Sequence, residues 1–210
     1  MVPTKEEMLA AFEQRHGKEL QKKFSGATVA VCGLGGLGSN ISIALARAGI
    51  GQLILIDFDR VDVSNLHRQQ YKASQVGMLK TDAAAQNLKE ISPYIELEVI
   101  NEKVTAQNAS ELLKNADIIC EAFDDALTKA ELVNTVLEQL PNAVVVAASG
   151  MAGAGSPNEI KTKRISKRFY LCGDFKSEVK ESNGLFAPRV MLCAAHQAHT
   201  VLRILAGKTD

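Results

Sequence analysis

The chain has 210 residues, 46% of them hydrophobic and 23% charged, a globular composition long enough to bury one substantial core. Lysine plus arginine (24) balance aspartate plus glutamate (24), so no global field favours nucleic acid or a membrane surface. The four cysteines, Cys32, Cys120, Cys172 and Cys193, form no C-x-x-C pair, which argues against a disulfide scaffold and a paired-cysteine zinc site and for a reducing cytoplasm. Residues 1–20 lack an apolar signal region, and the longest nearly apolar run, 143–155, is too short and glycine-rich to span a bilayer. The expectation is a cytoplasmic protein with no export signal and no membrane span.

Residues 6–24 place Met8, Leu9, Phe12, His16, Leu20 and Phe24 at three-to-four spacing, which predicts one amphipathic N-terminal helix. After Ser25-Gly26, the apolar run 27–32 reads as a strand buried on both faces, as in parallel sheets. The alternation then continues. Helices are predicted at 39–48, 81–90, 106–113 and 126–140, and strands at 52–56, 95–100, 117–120 and 143–148. Such regular alternation predicts a doubly wound, Rossmann-like α/β sheet, mostly parallel. Residues 160–171 offer two weak, basic strand candidates that fit an appended edge hairpin, and the polar stretch 173–184 fits a mobile crossover loop. Pro188 opens a long apolar helix over 189–205, closed by Gly207. The predicted organisation is an N-terminal helix (1–24), a nucleotide-binding core (25–150), and an edge, loop and C-terminal helix (151–210) that face a partner.

Gly33-Leu34-Gly35-Gly36-Leu37-Gly38 satisfies G-x-G-x-x-G directly after a strand and before a helix. There the glycines permit a tight turn and close phosphate approach, and the helix N-terminus offers unpaired N–H groups and a partial positive charge. Asp57 ends the next strand, where an acidic side chain accepts hydrogen bonds from ribose hydroxyls. These residues do not say which nucleotide is held, because dinucleotide dehydrogenases share them.

Further motifs narrow the choice. After the glycine loop come a D-x-D (Asp57, Asp59), an S-N-L-x-R-Q (Ser64, Asn65, Leu66, Arg68, Gln69), a G-x-x-K ending at Lys80, and an acidic pair, Asp124-Asp125, after a strand. Together they resemble the ThiF/MoeB/HesA family of adenylyltransferases, relatives of the ubiquitin-activating enzymes, over nearly the whole chain. The resemblance is closest to short ThiF-like proteins that adenylate the sulfur carrier ThiS, partly through 147–151 (AASGM) and 187–190 (APRV). It implies ATP and magnesium as cofactors, with Asp57 on the ribose, Asn65 and Arg68 on phosphate, Lys80 between phosphates and Asp124 on the metal. It also implies that Arg15 reaches over from a second subunit, hence a homodimer. Gly33, Gly35, Gly36, Gly38, Asp59 and Gln69 complete the nucleotide set, and Arg15, Arg68, Lys80 and Asp124 the catalytic one.

Plainer roles stand beside these. Arg68 and Arg15 also read as solvated charges, Lys80 as an exposed first-turn lysine and Asp124 as an N-cap, while Asp125 stands beside Asp124 as its supporting partner. Longer family members carry two C-x-x-C pairs for zinc and this chain has neither, so structural zinc is not expected. Cys193, His196 and His199 lie at helical spacing and could offer ligands with Cys172, but an apolar, alanine-rich helix favours packing. No cysteine follows Cys172 before Pro188, so the reaction is expected to stop at the acyl-adenylate, with sulfur from a separate donor. Alternative substrates are a molybdopterin-synthase carrier and a carboxylate on a tRNA base; the alternative of another class is an NAD-dependent oxidoreductase.

Overall fold

A computed structural model describes residues 2–179 and 184–208. Five parallel strands form its centre: β1 (Thr28–Cys32), β2 (Gln52–Ile56), β3 (Glu96–Ile100), β4 (Ile118–Glu121) and β5 (Val144–Ala148). A hairpin of β6 (Lys161–Ser166) and β7 (Phe169–Gly173) extends the sheet. The order is β3-β2-β1-β4-β5-β7-β6, with β6 alone antiparallel to its neighbour. This is the doubly wound sheet with an appended hairpin that the alternating pattern predicts.

Alternate side chains of β1, β2, β4 and β5 feed separate cores, which is why these four strands are largely apolar. Val29 and Val31 of β1 pack with Ile41 and Leu45 of α3 (Gly36–Arg47), Leu88 of α4 (Lys80–Ile91) and Val201 of α7 (Ala187–Leu205). Ala30 and Cys32 face the other way, onto Leu113 of α5 (Ala109–Leu113) and Leu132 and Val136 of α6 (Ala126–Gln139). Burying one such Leu or Ile contributes about 1.5–3 kcal/mol, so two continuous layers hold the sheet's carboxyl edge in place. The edge strand β3 carries exposed Glu96 and Glu98, charges that discourage pairing with another sheet.

The N-terminal segment departs from the single helix expected. It forms α1 (Lys5–His16) and α2 (Lys18–Ser25), broken at Gly17, which takes φ 85° and donates its N–H to Glu13. A left-handed residue ends a helix, and only glycine adopts it without strain. Nothing in α1 is buried, whereas α2 buries Gln21 and Phe24. The apolar periodicity is instead met across the break: the His16 ring stacks on Phe12 and meets Phe24 edge-on, and its Nδ1 lies 2.7 Å from Gln21 Oε1. Among the described residues no helix is long and apolar enough to cross a membrane. Of the loop expected over 173–184, residues 180–183 lie outside the described ones.

Candidate active site

The sheet order reverses between β1 and β4, and chains leaving their carboxyl ends diverge, opening a crevice. Here the crevice is a cavity of about 810 Å³, within the ordinary range of ligand sites. Its first wall is the glycine loop. Gly38 sits where a Cβ would fall 1.8 Å from the Gly33 carbonyl oxygen, so α3 closes directly onto the loop. Gly35, the N-cap of α3, supplies no side-chain cap, which leaves the first amides of α3 available to an anion.

Asp57 and a buried tyrosine brace this loop. Asp57 Oδ2 accepts from the Leu34 amide at 2.6 Å and Oδ1 from the Asp59 amide at 2.8 Å, leaving lone pairs for a ribose hydroxyl. Tyr71 donates its hydroxyl to the Leu34 carbonyl at 2.7 Å. Burial, with the negative charges of Asp57 and Asp59, pushes the Tyr71 phenol well above its ordinary value, so it stays a donor. Sequence reasoning missed Tyr71, whose only signal is an aromatic amid polar residues.

Lys80 is not an exposed first-turn lysine. The chain doubles back so that 59–61 hydrogen-bonds to 77–80, the Lys80 amide donating to the Asp59 carbonyl at 2.9 Å. This pairing buries the Lys80 side chain with Nζ 2.7 Å from Asp59 Oδ2, and both residues line the cavity. Asn65 ends a short 3-10 turn (Val63–Asn65), capped by Asp62, whose carboxyl is held below the usual range by the Ser64 hydroxyl and amide. The Arg68 and Gln69 amides donate to the Asn65 carbonyl, and all three side chains line the cavity. Among the described residues Arg68 is half-buried without a carboxylate partner and Gln69 Oε1 is buried without a hydrogen-bond partner. An unneutralised guanidinium and an unsatisfied amide are what a polar, anionic ligand would complete.

The acidic pair divides its labour. Asp125 caps α6: its Oδ1 accepts from the Thr128 amide and hydroxyl at 2.8 and 2.6 Å, bonds that lower its pKa. Asp124 makes no such cap, is exposed and lines the cavity. The capping role weighed for Asp124 therefore belongs to Asp125. A lone carboxylate fits a magnesium ion that takes its other ligands from phosphate and water. Asp125→Ala should lower the melting temperature by about 2–4 °C, as loss of one cap does, and leave nucleotide affinity unchanged by calorimetry.

Beneath this turn lies a pair that sequence reasoning did not single out. Glu121, fully buried, accepts on Oε1 from Lys129 Nζ at 2.9 Å and from the Phe123 amide at 2.7 Å, and Lys129 also donates to the Phe123 carbonyl at 2.7 Å. Burial raises the Glu121 pKa, and Lys129 opposes it. The available signal was one acid closing an otherwise apolar strand.

Arg15 stays outside. It is exposed on the last turn of α1 and does not line the cavity of its own chain. Cys172, Cys193, His196 and His199 do not form a ligand set. Cys172 Sγ lies 3.4 Å from the Thr162 hydroxyl, His196 Nδ1 lies 3.0 Å from that same hydroxyl, and His199 is exposed. Burial pushes the Cys193 thiol up to about 12. Among the described residues no group of three His, Cys, Asp or Glu could hold a metal.

A mostly parallel sheet with a glycine loop, an aspartate braced against it and converging charges at its switch point has the form of a doubly wound nucleotide-binding fold. Residues 8–210 match the ThiF family, and the chain belongs to it. It is 32% identical over 193 residues to the adenylyltransferase and sulfurtransferase UBA4 of Lodderomyces elongisporus, covering 89% of this chain and 42% of that protein. It is 34% identical over 143 residues to the tRNA threonylcarbamoyladenosine dehydratase of Haemophilus influenzae, covering 67% of this chain and 54% of that one. The chain thus spans about half, or less, of these curated relatives. The fold is shared with the crystal structure of E. coli tRNA N6-threonylcarbamoyladenosine dehydratase in complex with ATP: TM-score 0.88, 21% identity, 99% of this chain and 98% of that one.

Proposed function

We propose that the protein uses ATP and magnesium to adenylate the C-terminal glycine carboxylate of a ubiquitin-fold sulfur carrier of the ThiS type, releasing pyrophosphate, in thiamine thiazole formation. The observation that carries this reading is one cavity with two unlike ends. At the first, the glycine loop, Arg68, Lys80 and Asp124 converge. At the second, where β5 ends, Ala148, Ser149, Gly150, Met151 and Ala152 line the cavity, all but Met151 small. A triphosphate suits the first end, and an unbranched peptide tail suits the second.

The chemistry demands such a site. A carboxylate oxygen attacks the α-phosphorus, the bond to the bridging oxygen breaks, and the electron pair leaves with pyrophosphate. The reacting atoms must be held about 3–3.5 Å apart. At an effective dielectric near 20, each pair of like unit charges at 4 Å costs roughly 4 kcal/mol. Arg68 and the amides of α3 are fixed positive centres directed at that charge, and Lys80 is held among them by Asp59. Magnesium on Asp124 would further neutralise the triphosphate. An oxidoreductase would leave Arg68, Lys80 and Asp124 without a task.

Adenylation is supported by the name of the UBA4 relative and by the ATP complex of the solved neighbour. The ThiS-type acceptor rests on the motif resemblance. The buried, high-pKa Cys172 offers no thiolate to continue the reaction, which fits sulfur delivery by a separate donor. ATP–pyrophosphate exchange with a ThiS-type carrier, a molybdopterin-synthase-type carrier and a tRNA transcript tests the reading. Exchange should require the ThiS-type carrier and its C-terminal glycine. Exchange with the tRNA or the molybdopterin-type carrier alone would transfer the reaction to that acceptor, and tight NAD binding without ATP binding would end it.

A further inference from the structure

We propose that Arg189 is a positioning residue that shapes the acceptor end of the cavity and acts on entry of the carboxylate substrate rather than on nucleotide binding; this rests on the adenylation reading above. Arg189 lies in the first turn of α7, buried, and its guanidinium gathers three segments of chain. Nη1 donates to the carbonyls of Gly155 and Ser156 at 2.7 and 2.9 Å, and Nη2 to Asp174 Oδ2 at 2.7 Å, with Glu159 Oε2 at 3.5 Å. A planar five-donor fork can hold such divergent acceptors at once, which an ammonium cannot.

The hold passes through Asp174 to the cavity wall. Asp174 Oδ1 accepts from the Lys176 and Ser177 amides at 3.0 and 2.8 Å, and the Ser177 hydroxyl accepts from the Ala152 amide at 2.9 Å. The Asp174 amide donates to the Gly150 carbonyl and the Phe175 amide to the Ser149 carbonyl, at 2.9 and 3.0 Å. Ser149, Gly150, Ala152 and Ser177 line the cavity. Gly150 has φ 80°, and a Cβ there would fall 2.2 Å from Asp174 Oδ1, so this position has no room for a side chain. Phe175 is held at φ 64°, unfavourable for a residue with a side chain, so the surrounding bonds impose this turn. Burial alone would raise the Asp174 pKa, but the Ser177 and Lys176 amides and Arg189 outweigh it and hold the carboxyl well below the usual range. None of these hydrogen bonds reaches the glycine loop, Asp57 or Lys80.

Arg189→Met and Asp174→Asn should therefore separate the two ends. With the diglycine-ended carrier that supports exchange in the wild type, the carrier KM should rise about tenfold or more while the calorimetric affinity for ATP stays within about twofold. Tryptic cleavage after Lys176, which lies in the turn, should accelerate about tenfold as the open form becomes more populated. ATP affinity and carrier KM worsening in proportion, or neither changing, would overturn the inference. If no acceptor is turned over by the wild type, the adenylation reading fails and takes this inference with it; turnover by the wild type with carrier KM and cleavage unchanged in the variants overturns this inference alone. Should Arg189→Met not fold, Asp174→Asn carries the same expectations.

Discussion

Asp124→Ala is expected to lower carrier-dependent ATP–pyrophosphate exchange by about 10²–10³-fold, the usual loss when one preorganised charge is removed from a developing anionic centre. The variant should melt at the wild-type temperature, because Asp124 is exposed and the adjacent cap is made by Asp125. Its affinity for ATP without magnesium should be unchanged, whereas the tightening caused by magnesium should vanish; calorimetry with and without the metal checks both. Arg15→Ala is expected to be equally inactive if the site is completed in trans. Mixing the two inactive variants should then restore about a quarter of wild-type activity, since random exchange of subunits makes half the dimers mixed, each with one intact site. Activity in unmixed Arg15→Ala, or no recovery on mixing, would refute the trans role.

Lys129→Met is expected to cause the largest loss of stability. It strands the Glu121 charge in a layer where the carboxylate has no access to water, and breaking a buried pair in this way costs about 3–5 kcal/mol. For a chain of this size that lowers the melting temperature on the order of 10 °C, measurable by calorimetry. The effect depends on pH with a definite sign. Burial raises the Glu121 pKa in the folded chain, so between the ordinary carboxylate range and that raised value the folded state binds more protons than the unfolded state, and stability falls as pH rises. Without Lys129 the window widens upward, so the deficit should be smaller at an acidic pH than at an alkaline one. Glu121→Gln combined with Lys129→Met should recover most of the loss, because no uncompensated charge remains. An equal deficit at both pH values would show that Lys129 acts through packing alone.

The central sheet was legible because its signal is local. Residues 29–32 and 143–148 are apolar without interruption, as strands covered on both faces require, and helix-length segments separate the strands. The break in the N-terminal helix was not legible, since Phe12, His16 and Phe24 keep helical spacing straight through Gly17 while packing around a bend. Gly33, Gly35, Gly36, Asp57, Asn65, Arg68, Lys80 and Asp124 could be named from spaced motifs and line one cavity, whereas Gly38 packs behind the loop against Gly33. Arg15 could be named but not placed, because its own chain does not bring it there. Glu121, Lys129, Asp174 and Arg189 went unassigned because their partners lie on other elements or across turns, at separations that no periodicity reports.

What the sequence determined by itself was thus the alternation of elements, the anion-binding turn and the charged residues of the nucleotide end, each encoded within a few neighbouring positions. What only the tertiary structure decided was which of two adjacent aspartates is spent on a helix end, which lysine is buried against a carboxylate, and how a single guanidinium gathers three distant segments into one wall. Those outcomes depend on burial and on hydrogen-bond satisfaction, properties of the packed chain that arise only when segments far apart in sequence meet.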